Sequence, residues 1–590
     1  MNQHLLRFLP LALLWTLSSS SAAQTCTLSR VSLDPLGNET TGHSGAVVLS
    51  RDGRFVAFAS SASNLVPGDT NNSDDIFVHD RVLQTTELIT VDSNGIQADI
   101  QSNGPSISAD GRFVLYSSWA HNLVPGDMNN TNDVFLRDRT LGTTVRISTG
   151  PSGVEGNGGS YFGVISRNGR FVTFLSSASN LVPNDTNDAR DVFLFDRQTG
   201  VMELVSVSST GVQGDNWAGG SAGGPQVSDD GRFVVFQSPA TNLVPNDTNG
   251  VTDVFVRDRV LGTTARVSLG LGGVEANGAS DVTSITPDGR YIGIVSLASN
   301  LVANDTNDTH DTFVLDRVTG VFERVSVTSG GQQATGSNWA PTLSDDGRFV
   351  TFTSTSSDLV PGDTNEKRDV FLRDRAAGTT EIVSSSTLGA PADNDCFYGV
   401  ISGDSHMIAF TSASSMLVFG DLNGLYDVFV LECRPADLFC FGTPSTCPCA
   451  NSTDPGAGCA TASTSGARFD AVGSAHILSD SLTLLATGLP LGTTVAFLTG
   501  PGPSTPASGI QFGDGLFCLS TPVTRIAVRA APDGTAGFGF LAGDPLLSVL
   551  GAVPLGGDYR HYQAWYRSIE NFCTSATFNF SNGATVLWLP

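Results

Sequence analysis

Along most of the chain, short runs of alternating apolar and polar residues are broken by Gly, Asp, Asn and Pro, and the same order of runs keeps returning. The segments LSRDGRFVAFAS, ISADGRFVLYSS, ISRNGRFVTFLS, VSDDGRFVVFQS, ITPDGRYIGIVS, LSDDGRFVTFTS and ISGDSHMIAFTS place turn residues at Gly53, Gly111, Gly169, Gly231, Gly289, Gly347 and Ser405. Successive spacings are 58, 58, 62, 58, 58 and 58 residues. Each segment leads into an NLVPGDTN-like loop, then DVFxxDR, then GTTxxVS. Period-two alternation predicts half-buried strands, and Asp-Gly between two such runs predicts a tight hairpin, because both residues tolerate positive φ. Every unit therefore predicts four short antiparallel strands.

Seven such units predict an all-β fold, a seven-bladed β-propeller. The structural alternative, a solenoid, leaves two raw edge strands in need of caps. The chain ends favour a ring. The seventh unit stops after Asp427-Val428-Phe429-Val430-Leu431-Glu432-Cys433 without a fourth strand, while Leu28-Ser29-Arg30-Val31-Ser32 matches Thr264-Ala265-Arg266-Val267-Ser268 of unit four. The N-terminal segment is thus expected to close the last blade. In repeat register Cys26 and Cys433 fall on the two ends of a tight turn, within reach of a disulfide, and are expected to bond and lock the ring.

These segments, with DVFLRDR after them, resemble the WD40-like (PD40) repeats of TolB-type β-propellers over about Thr25 to Arg434. The resemblance implies the fold firmly and the activity weakly, since related scaffolds serve adaptor proteins, peptidase gating domains and some polysaccharide lyases.

The most regular polar feature is Asp-x-Asn-x-x-x-Asp: Asp69/Asn71/Asp75, Asp127/Asn129/Asp133, Asp185/Asn187/Asp191, Asp247/Asn249/Asp253, Asp305/Asn307/Asp311, Asp363/Asn365/Asp369 and Asp421/Asn423/Asp427. Oxygens at positions 1, 3 and 7 resemble the start of a calcium loop, so calcium is a candidate ligand. Position 5 lacks a side-chain oxygen at Ala189, Val251, Lys367 and Leu425, which favours the plainer reading, Asx caps on loop N–H groups. A second regular pair, Arg54, Arg112, Arg170, Arg232, Arg290 and Arg348 with Asp80, Asp138, Asp196, Asp258, Asp316 and Asp374, predicts ion pairs along one rim. The other rim carries the Asp-Asn loops and the fourth-to-first-strand loops, both expected around the channel mouth. There Tyr161, Phe162, Trp217, Trp339, Phe397 and Tyr398 precede inner strands. They are either packing between blades or flat apolar platforms for a glycan or protein partner. The histidines fall at different repeat positions, with no metal-ligand spacing, and no nucleophile elbow occurs in the ring. A non-enzymatic binding or scaffold role leads; a carbohydrate-active propeller, either polysaccharide lyase or glycosidase, is the alternative.

Residues 1–23 read as a secretory signal, with an apolar run from Phe8 to Leu17 and small residues before Gln24. Location is then secreted, periplasmic or cell-surface, and no later apolar run is long enough for a membrane span. The propeller is assigned to 24–434, a Cys-rich linker with Cys440, Cys447, Cys449 and Cys459 to 435–466, and a C-terminal β-sandwich to 467–590. Cys518 and Cys573 are expected to form a long-range disulfide there. Composition adds one constraint. With 57 acidic against 31 basic residues, the 590-residue chain carries a formal charge of −26, which disfavours nucleic acid as a partner.

Overall fold

A computed structural model describes residues 24–435 apart from 221–222, 387–388 and, for side chains, the first and last two, together with the C-terminal strands given below. Seven four-stranded antiparallel sheets account for residues 24–435, six of them built in sequence order. Blade one runs Ser44–Leu49, Phe55–Ser60, Asp75–Asp80, Thr85–Leu88, and blade two repeats it as Ser102–Ile107, Phe113–Ser118, Asp133–Asp138, Thr143–Arg146. Blade seven breaks the order as expected: Gln24–Arg30 pairs beside Asp427–Pro435, the third strand after Cys396–Ile401 and Met407–Ser412. Cys26 and Cys433 are both disulfide-bonded and lie on these two paired strands.

The repeated aromatics explain the blades. Phe58–Phe77, Tyr116–Phe135, Phe174–Phe193, Phe236–Phe255, Phe352–Phe371 and Phe410–Phe429 stack in cross-strand pairs, with ring centroids 5.6–6.0 Å apart. Burial of each such ring contributes on the order of 1.5–3 kcal/mol. Cores form between blades: Leu115, Val134 and Leu136 of blade two pack with Ile165, Val172 and Phe174 of blade three, and Val56 and Phe58 of blade one with Met407, Ala409 and Val430 of blade seven.

The hairpin glycines do two jobs. Gly111 has a φ of 70°, which only glycine adopts cheaply, and a Cβ there would run into the Phe55 ring of the preceding blade. That ring is also sandwiched by cations, Arg54 at 4.7 Å and Arg139 of the next blade at 4.6 Å from its centroid.

In the C-terminal part a five-stranded antiparallel sheet is ordered Asp437–Phe439, Phe578–Trp588, Asp558–Arg567, Thr493–Gly500, Thr524–Ala531. A three-stranded sheet joins Arg468–Val472, Thr483–Thr487 and Ala536–Phe538, and a hairpin pairs Ile510–Phe512 with Gly515–Phe517. The chain divides into two units, Thr27–Cys433 and one that holds these C-terminal strands. Residues 1–23, expected as a secretory signal, and Cys440, Cys447, Cys449, Cys459, Cys518 and Cys573 lie outside the described residues. Among the described residues no helix is long and apolar enough to cross a membrane.

Candidate functional site

Three polar assemblies recur around the ring. The first is built on the Asp-Asn loops. The seventh-position aspartate starts the third strand and is fully buried, so its oxygens must find donors. A hydroxyl just after the outer strand supplies one: Ser148 to Asp133 and Ser206 to Asp191 at 2.5 Å, Ser326 to Asp311 and Ser384 to Asp369 at 2.6 Å, and Thr90 to Asp75 in the same way.

The third-position asparagine supplies another donor. Asn71 Nδ2 reaches Asp75 at 2.8 Å, Asn129 Nδ2 reaches Asp133 at 3.0 Å, and Asn249 Nδ2 reaches Asp253 at 2.8 Å. Asn423 Nδ2 makes the longest of these bonds, 3.4 Å to Asp427. The same amide also bonds a carbonyl of the following loop, as Asn71 to Ala98 at 2.9 Å, Asn249 to Ala276 at 3.1 Å, Asn187 to Gly214 at 3.1 Å and Asn307 to Ala334 at 2.9 Å. The asparagine Oδ1 meanwhile accepts the N–H two residues on. Ser73, Thr131, Lys367 and Leu425 donate to it at 2.9 Å, and Val251, Thr309 and Ala189 at 3.2, 3.3 and 3.4 Å. A calcium loop would turn the third-position oxygen inward as a ligand. Here Asn249, Asn307 and Asn423, like Asn71, Asn129, Asn187 and Asn365, commit that oxygen to a backbone N–H and turn the amide inward, as Asx caps do.

The charge of these acids is met differently in different blades. Arg146 Nη1 lies 3.3 Å from Asp127, 3.3 Å from Asp133 and 2.6 Å from Glu155. Those three acids can bring oxygens within 4.8 Å of one another, a metal-like cluster, and the guanidinium stands among them. Arg266 does the same for Asp247, Asp253 and Glu275 at 3.0, 3.3 and 2.8 Å. Blade five combines Arg324, 3.4 Å from Asp305, with Gln333 Nε2 at 2.7 and 2.8 Å from Asp305 and Asp311. Blade one uses the amide alone: Gln97 Nε2 bridges Asp69 and Asp75 at 2.7 and 2.8 Å. Burial pushes Asp75, Asp191 and Asp369 up to about 6, against the pull of their donors. It also raises the first-position acids Asp185 and Asp363.

These partners stand on or just after the outer strands, as Thr90 and Arg146 do, and in the fourth-to-first-strand loops, as Gln97 and Gln333 do. The grooves of about 820 and 630 Å³ beside these loops open where Leu204 and Leu88 replace the arginine.

The second assembly is the opposite rim. Arg112 Nε and Nη2 reach the two oxygens of Asp138 at 3.0 and 2.7 Å, and Arg54–Asp80 and Arg170–Asp196 repeat this fork. The fork holds the Asp138 and Asp80 carboxyls below the usual range. Blade seven, where His406 and Glu432 break the pattern, is tied to blade one instead by Arg81 to Glu432 at 2.6 Å.

Nearer the axis on this rim, sequence reasoning missed a cluster. The residues before each hairpin turn link blade to blade through the backbone: Arg51 N to Ala109 O at 3.2 Å, Ala109 N to Arg167 O at 2.7 Å, Asp404 N to Arg51 O at 3.2 Å. Arg51 and Arg167 then converge on Asp345, at 2.6 and 3.0 Å, from blades one and three onto blade six. This position varies among Arg, Ala, Asp, Pro and Gly between repeats, and that departure from the repeat was the available signal.

The third assembly is the channel mouth. Inner strands bulge where they begin: register shifts fall between Tyr161 and Val164, Trp339 and Thr342, and Phe397 and Val400. The bulged residue takes a positive φ, 53° at Phe162, 50° at Ala340 and 54° at Tyr398. Such a bulge re-aims a side chain, and Phe162 and Tyr398 are 44% and 54% exposed. Trp217 is 38% exposed with Arg190 over its ring at 5.3 Å. Trp339 and Phe397 are half-buried and joined through Arg368, 4.5 Å from one ring and 4.8 Å from the other. The stack continues from Phe397 to Tyr426 and from Tyr426 to His43, at 5.7 and 5.6 Å. Tyr161 is half-buried. The six expected aromatics thus divide: Phe162, Tyr398 and Trp217 are open, Trp339 and Phe397 pack against neighbours. Tyr426 and Arg368 join them unforeseen, both standing just before a third strand.

This geometry defines a seven-bladed β-propeller. Among known proteins, no family model and no curated protein matches the chain. Solved structures similar to it include an oligogalacturonate lyase from Vibrio parahaemolyticus, 13% identical over 70% of this chain and 97% of that one, TM-score 0.42. TolB from Acinetobacter baumannii is 14% identical over 58% and 64%, TM-score 0.32, and a TolB-type protein from Agrobacterium tumefaciens 15% over 60% and 94%, TM-score 0.31.

Proposed function

We propose that this protein is an exported binding propeller that holds a glycan or protein partner at its channel mouth and performs no chemistry on it. The supporting observation is the pair of bulged inner-strand residues, Phe162 and Tyr398, whose rings are held in solvent by backbone that costs energy to form. Arg190 and Arg368 give this mouth cations in a chain of net charge −26, which suits a ligand bearing hydroxyls or carboxylates. Disulfide-bonded Cys26 and Cys433 agree with an oxidising compartment. Affinity electrophoresis against a panel of soluble polysaccharides tests the glycan arm. A photo-crosslinking residue in place of Tyr398 tests the protein arm. Retardation or a defined adduct, weakened at least tenfold in Phe162→Ala/Tyr398→Ala, is expected; if neither assay responds to these residues, the mouth is not the binding site.

A further inference from the structure

The repeat supplies its own control experiment. Five blades place a side-chain nitrogen against the aspartate pair at loop positions 1 and 7. It is a guanidinium from Arg146, Arg266, Arg324 or Arg30, the last 3.1 Å from Asp421 and 3.3 Å from Asp427, or the Gln97 amide of blade one. Blade three keeps a donor close by, Gln213, whose Nε2 rests on the Asn184 carbonyl at 2.8 Å. Blade six has neither. Ile382 ends its outer strand where Arg146 ends that of blade two, and Pro391, which has no donor, forms the bridge that Gln97 forms in blade one.

The acids of blade six are nonetheless as deep as the others. Asp369 is fully buried and is bonded by Ser384 at 2.6 Å and Asn365 at 2.8 Å. Asp363 is 7% exposed, and its Oδ1 has no hydrogen-bond partner. Two buried carboxylates that repel each other, one with an open oxygen, need a countercharge, a coordinated ion or a bound proton. Arginine supplies the countercharge in blades two, four, five and seven, and the Gln97 amide supplies a donor in blade one; blade six has neither.

We propose that the blade-six loop binds a divalent, oxygen-preferring cation of the calcium class, with Asp363 and Asp369 as its charged ligands and water completing the shell. A doubly charged ion balances two carboxylates, and hard cations take carboxylate and water oxygens. The ion would stand where blade one has the Gln97 amide and blade two the Arg146 guanidinium.

The test is calcium titration by calorimetry of the full-length protein after chelation, with thermal melts in calcium and in chelator. A single binding event with Kd on the order of 10⁻⁴ to 10⁻³ M, the range of extracellular calcium modules, and a higher Tm in calcium are expected. Asp363→Asn should weaken binding at least tenfold. Pro391→Gln is the variant that guards against simple misfolding, because it installs the amide of blade one. It should fold, lose calcium binding, and melt in chelator above the chelated parent. Absence of heat and of a Tm shift in the parent overturns the proposal, as does calcium binding that survives in both variants.

Discussion

Ser32 Oγ donates to Asp427 Oδ1 at 2.5 Å, joining two residues 395 positions apart. The same bond closes other blades locally, Ser148 to Asp133 being one of them, so the N-terminal segment is a blade strand that has been cut from its neighbours in sequence. Arg30 completes the likeness, contacting Glu39, Asp421 and Asp427 at 3.1, 3.1 and 3.3 Å as Arg146 contacts its three acids.

Removing that cation should open the ring. Arg30→Ala leaves three acids without their countercharge, and loss of one partner from a buried ion pair costs about 3–5 kcal/mol. Urea unfolding should show a lower midpoint by that amount, together with association through the freed edge of Asp427–Pro435. A midpoint unchanged within error would mean the strand does not hold the ring.

The disulfide-bonded cysteines on these strands are expected to be linked to each other. Non-reducing peptide mapping should recover Cys26 and Cys433 in one fragment. Cys26→Ser should lower stability by about 2–4 kcal/mol, because the bond restrains a very long loop in the unfolded chain. Recovery of Cys26 joined to a C-terminal cysteine would defeat this.

Asp191 and Asp133 should respond oppositely to amidation. Asp133 faces Arg146, so Asp133→Asn is expected to cost about 3 kcal/mol. Asp191 has no arginine, and its Oδ2 is without a donor. Burial pushes Asp191 up to about 6, well above its value of about 3.9 in an unfolded chain. The folded state therefore binds the proton more tightly, and this contribution, complete below about pH 4, is lost as pH rises through about 6. Asp191→Asn should remove that slope and leave the protein at least as stable at pH 7, as read from urea midpoints between about pH 3 and 8.

How far the sequence carried these conclusions depended on whether the cause was local. Asp-Gly turns and FVxF alternation determine hairpins within a few residues, and the match of Leu28–Ser32 to Thr264–Ser268 exposed the closure because it is a comparison between copies. The forks from Arg112 to Asp138 were legible for the same reason. The Arg51–Asp345–Arg167 cluster was not, since it joins residues up to 294 positions apart at a site where the repeats differ. The inner-strand bulges that separate open Tyr398 from packed Phe397 leave no pattern in the alternation.

The Asp345 cluster should be salt-sensitive and structural. Arg51 is 59% exposed at its side chain and Arg167 27%, so screening acts on the first pair more than on the second. Asp345→Asn is expected to cost about 1–2 kcal/mol at low salt, within the range for charged hydrogen bonds, and less at about 1 M salt. Equal losses at both salt concentrations would show that packing, not charge, is what Asp345 contributes.

The mouth aromatics allow packing and recognition to be separated by two measurements on the same variants. Tyr398 and Phe162 are about half exposed, so their truncation to Ala should cost no more than about 1 kcal/mol and can be read directly in binding. Trp339 is different: it is half-buried, lies 6.4 Å from His310 and stacks under Arg368, and Arg368 holds Phe397 in turn. Trp339→Ala should therefore cost about 2–3 kcal/mol, a little below full aromatic truncation in a core, and weaken binding only as far as it disturbs Phe397. Equal stability losses for Tyr398→Ala and Trp339→Ala would show that both rings are packing elements. The channel mouth would then lack the open platforms on which ligand recognition depends.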